Sequence, residues 1–199
     1  MPLVIAGEGT QPREKASDYP AHVWAGRTEI GAEYLSRTIS TGKDSYFTGP
    51  YLVFEVALYP DKGATLPVSP SDFQLRVNGQ KVPLLAQTPG LVAMAVRNPE
   101  WEDPGREVVA RVGTPDGGGI YVGRNRQLPR FPGDRAPVPN GQTKEAKPVN
   151  DPGEAAIQQA LPELKAQGPV SGLIYFAYRS KQNKIHGLEL IYEGPAGRQ

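Results

Sequence analysis

Hydrophobic residues alternate with polar ones along several stretches of the chain, and a period of two is typical of β-strands. The signal is strongest over residues 51–59, where both parities are apolar. A strand near the middle of a sheet is predicted there. Residues 28–37 place Ile30, Ala32 and Tyr34 on one face, which predicts a strand with a single buried face. The pattern therefore favours a chain built mainly of β-structure.

A hairpin is predicted around the Asn-Gly pair at 78–79. The preceding residues 73–77 alternate, and Asn-Gly tolerates the positive φ angles of a type I′ turn. Residues 81–85 are therefore expected to fold back as the partner strand, and Pro83 would place that partner at a sheet edge. The short apolar run at 91–96 fits a strand or a short helix, and we favour a strand.

The last fifty residues predict one helix and a second hairpin. The Asp-Pro pair at 151–152 is typical of a helix start, so residues 154–167 are assigned to a short helix that Pro162 should break or kink. Residues 173–178 and 185–192 flank a polar turn and predict a hairpin that is central to the fold.

Two proline-containing segments lack this periodicity. Residues 1–20 carry mixed charges and are interpreted as an N-terminal arm. Residues 125–153 hold six prolines and are too long for an ordinary loop, which predicts an extended linker or docking segment. The predicted organisation is an arm over 1–20 and a β-sandwich over 21–199, interrupted by 125–153 and by the short helix.

Composition supports this organisation and excludes several partners. Gly and Pro contribute 23 and 21 of the 199 residues, which disfavours long helices. The net charge of +1 offers no bulk field for nucleic acid or anionic lipid. No apolar run approaches the ~20 residues that a membrane-spanning helix needs. The absence of cysteine excludes disulfides and thiolate metal sites but does not fix the compartment.

Four segments resemble a known family. They are YLVFEV (51–56), VSPSDFQLRVNG (68–79), SGLIYF (171–176) and LELIY (188–192). Together they resemble telokin-like, immunoglobulin-type domains of bacterial cell-envelope proteins, and the whole chain resembles uncharacterised bacterial secreted proteins. The resemblance implies an Ig-like antiparallel β-sandwich, with pairing between its last two strands. It also implies a noncatalytic role in the periplasm or outside the cell, although residues 1–10 lack the form of a secretory signal.

No catalytic residue, cofactor site or metal site is expected from the motifs. His22 and His186 lack the spacing of a metal pair, and there is no cysteine beside them. The glycine-rich stretch 113–119 lacks the following Lys-Ser/Thr of a phosphate-binding loop. The protein is therefore expected not to be an enzyme.

Two clusters are candidate binding sites. Interleaved arginine and aromatic side chains in the proline-rich segment suit protein docking. The docking residues are Arg124, Arg126, Arg130, Phe131 and Arg135.

The second cluster is a candidate ligand patch. Trp101 is flanked by Glu100, Glu102 and Asp103, whose carboxylates could bind calcium. The alternative is a solvated acidic turn that Trp101 pins to the sandwich. A sugar-stacking platform would require exposed aromatic rings on one face. Its candidates are Trp24, Tyr34, Tyr46, Phe47, Tyr51 and Tyr59.

These observations lead to two hypotheses about function. The first is a noncatalytic accessory subunit that docks through its arms onto other protein subunits of a larger assembly, which can include peripheral association with a membrane complex. The alternative is an extracytoplasmic module that binds carbohydrate or calcium. Neither hypothesis involves nucleic acid.

Overall fold

A computed structural model describes residues 7–42, 44–97 and 151–199. These residues form mainly antiparallel β-structure with two short α-helices. The strands are β1 (Ala21–Ala25), β2 (Thr28–Tyr34), β3 (Thr38–Thr41), β4 (Asp44–Phe47), β5 (Tyr51–Pro60), β6 (Leu66–Val68), β7 (Phe73–Val77), β8 (Leu84–Gln87), β9 (Leu164–Ala166), β10 (Val170–Ala177), β11 (Leu188–Gly194) and β12 (Gly197–Arg198). The helices are α1 (Pro89–Arg97) and α2 (Pro152–Gln158).

Eight of these strands form one antiparallel sheet in the order β1-β2-β5-β10-β8-β7-β11-β12. β5 lies between β2 and β10, which confirms the central position predicted from its two apolar faces. The sheet narrows at β8, which pairs with β10 only through Tyr175↔Gln87 and Phe176↔Ala86. This short contact between β10 and β8 divides the sheet into a first half, β1-β2-β5-β10, and a second half, β8-β7-β11-β12.

The inward faces of the two halves share one hydrophobic core. Phe54 of β5 and Phe176 of β10 meet edge to face at 5.8 Å between centroids. Phe73 of β7 and Tyr192 of β11 join the same core from the second half. A separate two-stranded ribbon, β6–β9, adds further apolar side chains to it. Alternation in the strands thus produces a single apolar interior.

The outer face of β5 and β10 is covered by the helices. Val53 and Tyr175 point to this side and pack with Val92 of α1 and Ala156 of α2. The Tyr175 hydroxyl donates a 2.9 Å hydrogen bond to the carbonyl oxygen of Ala156. Both faces of the central strands are therefore buried, as their sequence requires.

The apolar run at 91–96 is helical, so the predicted strand is wrong. It belongs to α1, which packs against α2. The two helices approach closely at Gly153, where an added Cβ would lie 3.0 Å from the carbonyl oxygen of Ala93. A six-residue apolar run has no decisive period, and packing against α2 decides its conformation.

The helix expected over 154–167 is shorter. Asp151 is its N-cap, accepting a 2.9 Å hydrogen bond from the Gly153 amide, and the helix ends at Gln158. Pro162 follows this end, as expected from its missing N–H. Residues 164–166 instead form β9, which pairs with β6.

The two predicted hairpins have different outcomes. Asn78 and Gly79 have φ angles of 54° and 68°, which confirms the turn chemistry. The partner strand β8 begins after Pro83 and lies inside the sheet, between β7 and β10, so its expected edge position is wrong. The final strands β10 and β11 do not pair with each other, because β5 and β8 occupy the two edges of β10.

Residues 7–20, the described part of the predicted N-terminal arm, lie on the outer face of the first half of the sheet. Thr10 donates a 2.8 Å hydrogen bond from Oγ1 to Glu55 Oε1. The Arg13 guanidinium pairs with Glu33 and lies 4.2 Å from the centre of the Tyr19 ring. Because Glu33 and Glu55 are direct cross-strand neighbours, Arg13 also offsets the repulsion between their carboxylates.

Candidate functional site

β1, at one end of the sheet, faces β11, near the other end, across an unpaired gap. β1 pairs only with β2 in the part of the chain that the structure describes. The gap is narrow at one end, where an added Cβ on Gly26 would lie 2.4 Å from the carbonyl oxygen of Ala196. Gly26 also has a φ of 56°, which favours glycine. The sheet therefore curls into a nearly closed barrel with an incomplete wall between β1 and β11.

A cavity of about 450 Å³ lies at this gap. Its lining comes from both halves of the sheet and is mainly apolar. It is formed by Pro20, Ala21, His22, Val23, Ile30, Ala32, Glu33, Tyr34, Phe54, Phe73, Leu188, Leu190, Tyr192 and Gln199.

Small side chains on β1 and β2 make room for the cavity. Ala21 lies opposite Ala32, and Val23 lies opposite Ile30, in the register of the two strands. Val23 shares the inward parity of the fully buried Ala25, yet it remains 42% exposed. Two alanines face each other where the interior of a small barrel is usually filled by larger side chains. The cavity thus follows from side-chain size at a few inward positions.

Aromatic rings line the cavity from both sides. Tyr34 and Phe54 form a pair in the first half, with ring centroids 5.0 Å apart. Phe73 and Tyr192 form a second pair in the other half, at 5.1 Å. Each pair is tilted, which is a favourable aromatic geometry. Aromatic residues therefore stand in both walls of the cavity, where Tyr34 is partly exposed and Phe54, Phe73 and Tyr192 are buried.

The lining carries little usable charge. The lining residues include no Lys or Arg, and the carboxylate of Glu33, the one acidic side chain among them, pairs with Arg13 on the outer face of the sheet. Burial raises the pKa of the Tyr192 hydroxyl, whose oxygen accepts a hydrogen bond from the Ala196 amide. The Tyr34 hydroxyl is buried and has no hydrogen-bond partner among the described residues. His22, on the exposed strand β1, is the remaining ionisable side chain of the lining apart from the tyrosines.

The described residues contain no group of three His, Cys, Asp or Glu side chains that could hold a metal ion. His22 lies on β1, whereas His186 precedes β11 and is exposed, with its backbone amide bonded to Asn78. None of the helices in the described ranges is long and apolar enough to span a membrane. The chemistry that the cavity offers is binding by apolar and aromatic contact.

Neither of the two candidate clusters from the sequence lies among the described residues. The ligand patch Glu100, Trp101, Glu102 and Asp103 lies outside the described residues. So do the docking residues Arg124, Arg126, Arg130, Phe131 and Arg135.

The six aromatic residues considered for sugar stacking do not share one exposed face. Tyr51 is buried on the side that the helices cover, whereas Tyr34 lines the cavity. The Tyr59 hydroxyl donates to the backbone carbonyl of Arg13. Trp24 and Phe47 are exposed but belong to different sheets. The condition for a sugar-stacking platform, exposed rings on one face, is therefore not met by these residues.

Sequence reasoning missed the cavity because it missed β1. Ala21, Val23 and Ala25 do alternate with His22 and Trp24, which is a weak strand signal. Two of the three inward side chains are alanine, so the stretch lacks the bulk that marks a buried face.

Comparison with protein-family models, with curated proteins and with solved structures found no match to this chain.

Proposed function

We propose that the protein is a noncatalytic binding module that holds one compact, largely apolar molecule in the cavity between β1 and β11. This belongs to the ligand-binding class considered from the sequence, but the ligand chemistry is different. The cavity lining is apolar and aromatic, which suits neither calcium nor a hydroxyl-rich sugar.

The observation that carries the proposal is that inward-facing apolar side chains remain uncovered. Val23 is 42% exposed, and Leu188 and Leu190 are only partly buried although they pack against the core. Leaving such surface open forgoes about 25 cal/mol for each Å² that could be covered. A bound apolar molecule would recover this energy.

The size of the cavity supports a single small molecule. Its 450 Å³ lies within the range of about 300–1,000 Å³ that is usual for ligand pockets. It is about three times the volume of an apolar cavity that admits benzene, roughly 150 Å³. A molecule of two or three rings is therefore a suitable occupant.

The accessory-subunit hypothesis remains a prediction. Its docking residues lie outside the described residues, as do residues 125–150, and residues 7–20 of the other predicted arm lie on the sheet. The Ig-like sandwich and the telokin-like relationship also remain proposals. They are supported by the two facing halves of the sheet and their shared core.

A neutral fluorescent reporter, N-phenyl-1-naphthylamine, tests the binding proposal. We expect saturable binding at one site in the wild-type protein. Ala32→Phe should abolish it by filling the cavity, and Val82→Phe provides the control because Val82 is 78% exposed and does not line the cavity.

The stability of the filled variant gives a second readout. A new ring that occupies empty apolar space should raise the melting temperature of Ala32→Phe, whereas Val82→Phe should leave it unchanged. Absence of saturable binding in the wild-type protein, or full binding in a folded Ala32→Phe variant, would contradict the proposal.

A further inference from the structure

We infer that the cavity selects a neutral, ring-containing molecule and discriminates against an anionic one of the same shape. This inference rests on the proposed function and specifies the chemical class of its ligand. It follows from the charges and rings around the cavity.

The side chains around the cavity disfavour an anionic ligand. A carboxylate that enters an apolar cavity loses its water and needs a cation or hydrogen-bond donors in exchange. The lining has no Lys or Arg, and the nearby Arg13 guanidinium is held by Glu33 and by the ring of Tyr19 on the other side of the sheet. The Tyr34 hydroxyl and the His22 ring lie in the lining and can donate hydrogen bonds, but neither is the fixed positive charge of a Lys or Arg. An anion would therefore be desolvated without a Lys or Arg as its counter-charge.

A cationic ligand is disfavoured for the same reason. Glu33 is the one acidic side chain among the lining residues, and its carboxylate pairs with Arg13 on the outer face of the sheet. A neutral molecule has the smallest desolvation cost, so the cavity favours neutral molecules over both anions and cations.

The aromatic residues of the lining favour a ligand that contains a flat ring. The Tyr34–Phe54 pair and the Phe73–Tyr192 pair line the cavity from its two halves. Aromatic pairs gain energy in offset or edge-to-face arrangements beyond the area that they bury. Of these four rings Tyr34 is partly exposed, whereas Phe54, Phe73 and Tyr192 are buried, so a flat ligand ring can make such contacts with Tyr34.

A matched pair of ligands tests the inference. Methyl 2-naphthoate is neutral, and 2-naphthoate is its anion of nearly the same shape. Both are measured by displacement of N-phenyl-1-naphthylamine and by calorimetry at neutral pH. We expect the ester to bind at least about tenfold more tightly than the carboxylate.

Two variants at Val23 then test the effect of adding a positive charge to the lining. Val23 is partly exposed, so a longer side chain can be accommodated there. Val23→Lys should strengthen carboxylate binding and reduce the preference for the ester by about tenfold. Val23→Met, a long but uncharged side chain, should keep the wild-type preference.

The outcomes separate this inference from the proposed function. Saturable reporter binding together with equal affinity for ester and carboxylate would overturn the inference and leave the binding module intact. Failure of both naphthalene compounds to displace a bound reporter, or no gain of carboxylate affinity in Val23→Lys, would also overturn it. Absence of reporter binding would refute the proposed function itself.

Discussion

Two buried tyrosine hydroxyls, one with a hydrogen-bond partner among the described residues and one without, allow a direct test of the structure. Tyr175 is 1% exposed and its hydroxyl donates a 2.9 Å hydrogen bond to the carbonyl oxygen of Ala156. The Tyr34 hydroxyl is also buried, but it has no hydrogen-bond partner among the described residues. The same change, tyrosine to phenylalanine, should therefore have opposite effects on stability at the two positions.

The change in the free energy of unfolding depends on the polar groups that lose a partner when each hydroxyl is removed. The Ala156 carbonyl lies in the last turn of α2, and the amide of Ala160 bonds to Ile157 rather than to it. Tyr175→Phe would deprive this carbonyl of its hydroxyl donor, which costs about 1–3 kcal/mol. Tyr34→Phe removes a desolvated hydroxyl that makes no bond, so we expect no loss and a gain of up to about 1–3 kcal/mol.

Urea unfolding followed by far-UV circular dichroism measures both free energies, and calorimetry gives the melting temperatures. A chain of this size shifts by about 2–4 °C for each kcal/mol. We expect a lower melting temperature for Tyr175→Phe and an equal or higher one for Tyr34→Phe. A Tyr34→Phe variant destabilised as much as Tyr175→Phe would show that the Tyr34 hydroxyl has a partner and would refute this reasoning.

Three further predictions concern pH, the N-terminal segment and the closed end of the barrel. Burial raises the pKa of the Tyr175 hydroxyl, so the native state keeps a proton that the unfolded state loses above about pH 10. The free energy of unfolding should therefore fall as pH rises above that value, with a shallower fall in Tyr175→Phe by urea titration at each pH. Arg13→Ala should cost about 1 kcal/mol and speed amide hydrogen exchange in residues 7–20, and unchanged exchange would contradict the packing of that segment. Gly26→Ala should lower the melting temperature more than Gly42→Ala, since both residues have positive φ but only Gly26 abuts another backbone; equal losses would argue against that contact.

Strong local patterns predicted the central part of the fold. Residues 51–59 are apolar on both faces, and the structure buries both faces of β5. The alternation at 73–77 and the Asn-Gly pair likewise correspond to β7 and to a turn with positive φ angles. The N-cap at Asp151 was recognisable because capping uses side chains close in sequence.

Strand neighbours were predicted less well. The strands β10 and β11 are consecutive in sequence, yet β10 pairs with β5 and β8 while β11 pairs with β7 and β12. Which strands pair depends on the arrangement of the whole sheet, and no local sequence pattern contains that information. The strand expected at 91–96 failed similarly, because packing against α2 selects the helix.

By itself, the sequence determined the chain's mainly β character, its central strands and its turn and cap positions. Each of these depends on residues that are near neighbours along the chain. Only the tertiary structure decided the order of the sheet, the near closure between Gly26 and Ala196, and the cavity between β1 and β11. The cavity exists because small side chains at 21 and 32 face aliphatic residues some 160 positions away, and such a juxtaposition has no signature in any single segment.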